Sequence, residues 1–119
     1  MTTPKEMLNT LMQVDGALCA ALVDYQSGML LESIGSGVDL EVAAAGNTEV
    51  VRAKLKTMKS LGLSGGIEDI LITLDKQYHI IRLIAKHEGL FLYFVLDRAR
   101  SNLAMARRKM LEAEAETKL

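Results

Sequence analysis

A chain of 119 residues, half of them apolar and 24% charged, is one folded domain rather than a disordered segment. It is long enough to bury roughly two-thirds of its unfolded surface without disulfides or metals. A formal charge of −1 removes the general electrostatic case for nucleic acid or an anionic membrane surface, both of which call for a basic domain.

Thr3-Pro4-Lys5-Glu6 predicts a helix start, with Thr3 as N-cap, Pro4 at the first helical position and Glu6 reaching back to complete a capping box. Met7, Leu8, Leu11 and Met12 continue it at helical spacing, and Asp15-Gly16 ends it. Ala17 to Val23 is a continuous apolar run too short for a typical helix, which suits a strand buried on both faces. Asp24-Tyr25-Gln26-Ser27-Gly28 is turn chemistry, with Asp24 and Gly28 as its key residues, and Met29 to Ile34 supplies the return strand. Cys19 lies inside the first apolar run with no cation beside it, so it reads as a small core residue. A lone thiol, no hydrophobic leader and no apolar run near about eighteen residues lead us to expect a soluble, cytoplasmic chain without membrane insertion.

Asp39 to Leu61 follows as a long helix with Asp39 as N-cap. At about 100° per residue, Leu40, Ala44, Val51, Leu55 and Met58 form one stripe suited to a core, and Glu41, Glu49, Arg52, Lys56 and Lys59 form a solvated face. The remaining arc carries Val42, Ala43, Gly46, Val50, Ala53, Thr57, Ser60 and Leu61, uncharged and mostly small. On the wheel alone two readings stand: the arc tucks under the domain's own neighbours, or another chain covers it.

After the glycines at 62, 65 and 66, three β-rich segments follow: Ile67 to Leu74, Tyr78 to Ala85 and Leu90 to Leu96. Tight connections make them a meander, and the last, apolar throughout, is central. A final helix is expected from Asp97 on the stripe Ala99, Leu103, Ala106 and Met110, with a frayed tail over residues 112–119 and an Arg108–Glu112 pair on its solvated face. Joining the hairpin to the meander through the two most apolar strands gives a five-stranded antiparallel sheet of order 2-1-5-4-3 in an α+β domain. Ile67 to Leu74 then lies at an edge, β-branched and lightly charged, a liability unless something pairs with it.

No phosphate-binding or dinucleotide motif is present: Gly35-Ser36-Gly37 and Gly62 to Gly66 lack the Gly-Lys-Ser/Thr ending and the GxGxxG spacing. His79 and His87 read as surface histidines without a metal shell, and Asp24, Asp69, Asp75 and Asp97 as turn or cap residues. Ser27 and Ser64 have no identifiable partners for a nucleophilic triad. We therefore expect no catalytic residue, no cofactor and no metal.

Val14-Asp15-Gly16-Ala17 into Ala20-Ala21-Leu22-Val23-Asp24, then Ser27-Gly28-Met29-Leu30-Leu31-Glu32, resembles the opening hairpin of the roadblock/dynein light-chain family. The order of elements is similar over essentially the whole chain, with departures at the Tyr25-Gln26 turn and in the charged final helix. The resemblance implies a profilin-like αββαβββα domain that homodimerises through the long helix and the third strand, has no active site, and serves as a platform or regulator for a Ras-like small GTPase. On that reading Val42, Ala43, Gly46, Val50 and Ala53, with Ile67, Asp69, Leu71 and Thr73, form the dimer interface. The rival readings are a light-chain-type structural adaptor without GTPase contact and a small-ligand sensor or enzyme.

Overall fold

The computed structural model describes residues 2–119. Its elements are α1 (Pro4–Leu11), β1 (Ala17–Asp24), β2 (Met29–Gly35), α2 (Leu40–Ser60), β3 (Asp69–Thr73), β4 (Gln77–Leu83), β5 (Leu90–Asp97) and α3 (Leu103–Glu116). All neighbouring strands pair antiparallel in the order β2-β1-β5-β4-β3, the expected order, with β5 in the middle. The most apolar strand is central because only there do both faces and both edges lose their water.

Helices cover the two faces of the sheet. On one side α1 and α3 pack over Ala20, Leu22, Ile80, Leu92, Phe94 and Leu96; on the other α2 sets Ala44 and Val51 against Cys19, Ala21, Val23, Ile81, Phe91, Tyr93 and Val95. Successive residues of β1 and β5 thus serve opposite cores, which explains their unbroken hydrophobicity. The α1 start is the predicted capping box: the Glu6 amide donates to Thr3 Oγ1 at 3.2 Å, and the Thr3 amide donates to Glu6 Oε1 at 3.1 Å. In the hairpin turn the Gln26 amide donates to Asp24 Oδ1 at 2.8 Å and the Gly28 amide to the Asp24 carbonyl at 2.7 Å, with Gly28 at φ +81°.

Two expectations at the C-terminal end need correction. The last helix does not run from Asp97, because Asp97 still belongs to β5 and pairs with Gln77. Its carboxylate takes the Ala99 amide at 3.0 Å, the Arg98 amide donates to the Lys76 carbonyl at 2.9 Å, and the Arg98 guanidinium donates to the Leu74 carbonyl at 3.0 Å. The chain is therefore tied to the β3–β4 turn before Asn102 caps α3 by accepting from the Met105 amide at 3.1 Å. Ala99 is exposed and takes no part in the stripe, which is carried by Leu103, Ala106 and Met110.

Residues 112–119 are also not a frayed tail. Helix α3 continues to Glu116, Ala113 and Glu114 are buried, and Thr117 is fully buried. Glu114 holds the end down: its carboxylate accepts from Arg82 Nη2 at 2.9 Å and from the Ala85 amide at 3.0 Å. The Thr2 amide donates to the Glu116 carbonyl at 3.1 Å and the Lys118 amide to the Thr2 carbonyl at 3.2 Å, so the two ends of the chain pair with each other. Among the described residues the ion pairs are Arg82–Glu114 and Arg107–Asp69 rather than the anticipated Arg108–Glu112.

Candidate interaction surface

Helix α2 lies toward β1 and β2 rather than along the middle of the sheet. Its far side therefore overhangs a trough floored by β5, β4 and β3. Val38, Asp39, Val42, Ala43, Gly46, Asn47, Val50, His79 and Tyr93 line its first part, of about 410 Å³. Val50 continues into a second part of about 510 Å³, where Ala53, Lys54 and Thr57 face Ile67, Asp69 and Ile70.

The walls are apolar and open. Val42 is 68% exposed and Val50 41% exposed, while a Cβ added at Gly46 would meet nothing within 4 Å. That glycine serves no contact inside the chain, yet a mid-helix glycine costs about 0.5–1 kcal/mol relative to alanine. Ala53 is exposed and Ala43 half-buried beside them. The open edge of β3 borders the same region, since β3 pairs only with β4 among the described residues.

The nine residues expected to form one interface divide. Val42, Ala43, Gly46, Val50, Ala53, Ile67 and Asp69 line the trough. Alternation along β3 turns the side chains of Asp69, Leu71 and Thr73 to the sheet's other side: the Asp69 carboxylate accepts from Arg107 of α3 at 2.9 Å and 3.2 Å while the residue still borders the trough, and Leu71 packs with the α1/α3 core. The β3 side chains that share the α2 side are Ile70 and Ile72. Strand alternation already separates the two sets, so the signal was in the sequence; what it could not say was which set faces α2.

Sequence reasoning also missed a polar cluster at the floor of the trough. His79 is half-buried rather than a surface residue, because its place two residues before Ile81 puts it on the α2 side of β4. Its Nδ1 and the Tyr93 hydroxyl are 2.8 Å apart, and its Nε2 is 2.8 Å from Gln77 Oε1. In the Nε2–H tautomer the ring donates to Gln77 Oε1 and accepts from the Tyr93 hydroxyl at Nδ1. Burial holds the His79 imidazole below the ordinary histidine range. Burial likewise pushes the Tyr93 hydroxyl up to about 12, reinforced by Cys19 and opposed by an interaction with the Asn47 side chain. His87 sits exposed on the β4–β5 turn.

Among the described residues no group of three or more His, Cys, Asp and Glu side chains converges as a metal shell would, and no helix is long and apolar enough to cross a membrane. No protein-family profile matches the chain, and neither does any curated protein by sequence. Solved structures do match its shape. A Roadblock/LC7 domain from Streptomyces avermitilis superposes with a TM-score of 0.81 at 16% identity, covering 96% of this chain and 93% of that one. The chain has the roadblock/LC7 fold. MglB from Myxococcus xanthus is similar to this chain with a TM-score of 0.83 at 19% identity, over 94% of this chain and 82% of that one. An MglB described in a tetrameric arrangement gives 0.79 at 18% identity, over 92% and 80%.

Proposed function

We propose that this roadblock domain is a non-enzymatic, cytoplasmic interaction module that homodimerises through the α2 trough and binds and regulates or scaffolds a Ras-like small GTPase. The observation that carries the first half is the overhanging face of α2, where Val42, Gly46 and Val50 are open beside an unpaired sheet edge. A second copy brought against it would cover both valines, worth roughly 1.5–3 kcal/mol for each side chain fully buried. The same copy would give Gly46 the close backbone approach that a glycine permits. The MglB structure in a tetrameric arrangement supports self-association in this fold. The GTPase half rests on the sequence resemblance to the roadblock/dynein light-chain family together with the fold shared with MglB.

Sedimentation tests the first half: a dimer is expected, and Gly46→Glu with Val50→Glu should give a folded monomer, since both positions are open in the single chain. A wild-type monomer at high protein concentration rejects the interface. For the second half, a co-encoded small GTPase is titrated in its GDP and GTP forms while hydrolysis is followed. Absence of binding in both forms rejects the GTPase reading and leaves the adaptor.

A further inference from the structure

We propose that His79 makes self-association of this domain pH-dependent, the neutral imidazole being the form that the covered trough accepts, so that acidification separates the protomers. The proposal rests on the α2 trough being the dimer surface and adds to it a titrating group at its floor.

Three features of the geometry support it. His79 shares one groove with Val42, Gly46 and Val50, so a chain seated on those residues closes over the imidazole. Both ring nitrogens are engaged, Nδ1 with the Tyr93 hydroxyl and Nε2 with Gln77 Oε1, and the neutral ring completes both bonds by accepting at Nδ1 and donating from Nε2. A proton added at Nδ1 turns that acceptor into a donor, so Tyr93 must turn its hydroxyl hydrogen away and accept instead, giving up the bond it donated. The charge is then carried by a group whose remaining water would be lost on closure.

Beyond the oxygens of Gln77 and Tyr93, the surroundings offer an imidazolium a single charged partner. From β5 it faces Tyr93 and lies opposite Val95, and from β3 it lies opposite Ile72. From α2 the groove receives Asn47 and one carboxylate, Asp39. Asp39 Oδ1 already accepts from the Glu41 and Val42 amides at 3.1 and 3.2 Å, as the N-cap. Cys19 of β1 is a buried thiol on the same side of the sheet. Burial already depresses the imidazole in the single chain, and covering the trough removes more of its water in the same direction.

By linkage the dimer binds fewer protons than two free chains, so association is tightest above the free chain's His79 pKa and weakens as pH falls through it. Each protomer that must shed a proton contributes about tenfold in dissociation constant per pH unit there, up to about 100-fold for the pair. The experiment is sedimentation equilibrium of the full chain from pH 8 to pH 5, with circular dichroism at each pH to follow folding. The expected result is a wild-type dimer that weakens with acid, a His79→Gln dimer with a flat profile, and a His87→Gln control that follows wild type. A wild-type dimer with a pH-independent constant, or a His79→Gln dimer that weakens as steeply, overturns the proposal alone. A wild-type monomer at every pH overturns the trough interface, and the proposal with it.

Discussion

At Gly35 the backbone turns with φ +86°, and an added Cβ would strike the Leu18 carbonyl and the Cys19 Cα, neither of which can move without breaking the β1–β2 pairing. Gly35→Ala is therefore expected to destabilise the domain by about 1–3 kcal/mol, read from the urea midpoint. Arg82 and Glu114 make a different case, because their side chains are 12% and 8% exposed and hydrogen-bond each other across the domain. Glu114→Ala leaves the guanidinium buried and the Ala85 amide without its acceptor, so a loss of about 3 kcal/mol is expected by urea unfolding. Arg82→Met with Glu114→Leu removes both charges together and should recover most of it. His79 links stability to pH. Its folded-state pKa lies below the ordinary 6.5, so the unfolded chain binds the proton more readily. Stability is then full above about pH 6.5 and declines as pH falls from there toward the folded value, and His79→Gln should remove that part of the slope.

Helix α2 is the element whose sequence was most informative. Asp39 caps it as expected, and Asp39→Ala should cost about 1 kcal/mol in thermal or urea unfolding. Its core stripe was legible at Ala44 and Val51, with Leu40, Leu55 and Met58 half-buried at the flanks. Thr48 is buried as well, on the same face between Ala44 and Val51, its hydroxyl donating to the Ala44 carbonyl at 2.7 Å so that it enters the core satisfied. Helix α3 was read less well. The apolar spacing of Ala99 with Leu103 fits a helix, but the hydrogen bonds that tie Arg98 and Asp97 to the β3–β4 turn come from residues far away in sequence, and they prevail over periodicity. The fate of residues 112–119 was hidden for the same reason: Glu114 reads as a solvated charge until Arg82 and the Ala85 amide are placed beneath it.

Across the whole molecule, the sequence by itself determined the number, kind and order of the elements and the strand order 2-1-5-4-3. It could do so because hydrophobic period, caps and turns are local properties, and because only a central place in a two-sided sheet hides strands as apolar as β1 and β5. The tertiary structure alone decided how far α2 overhangs the sheet, which alternate residues of β3 share its side, and that His79 meets Tyr93 and Gln77 at the floor of the trough. Alternation sorts side chains into two sets without naming the face each set occupies, and a helix wheel does not say where on the sheet the helix rests. Those choices follow from contacts between residues distant in the chain, which exist only once the sheet has closed.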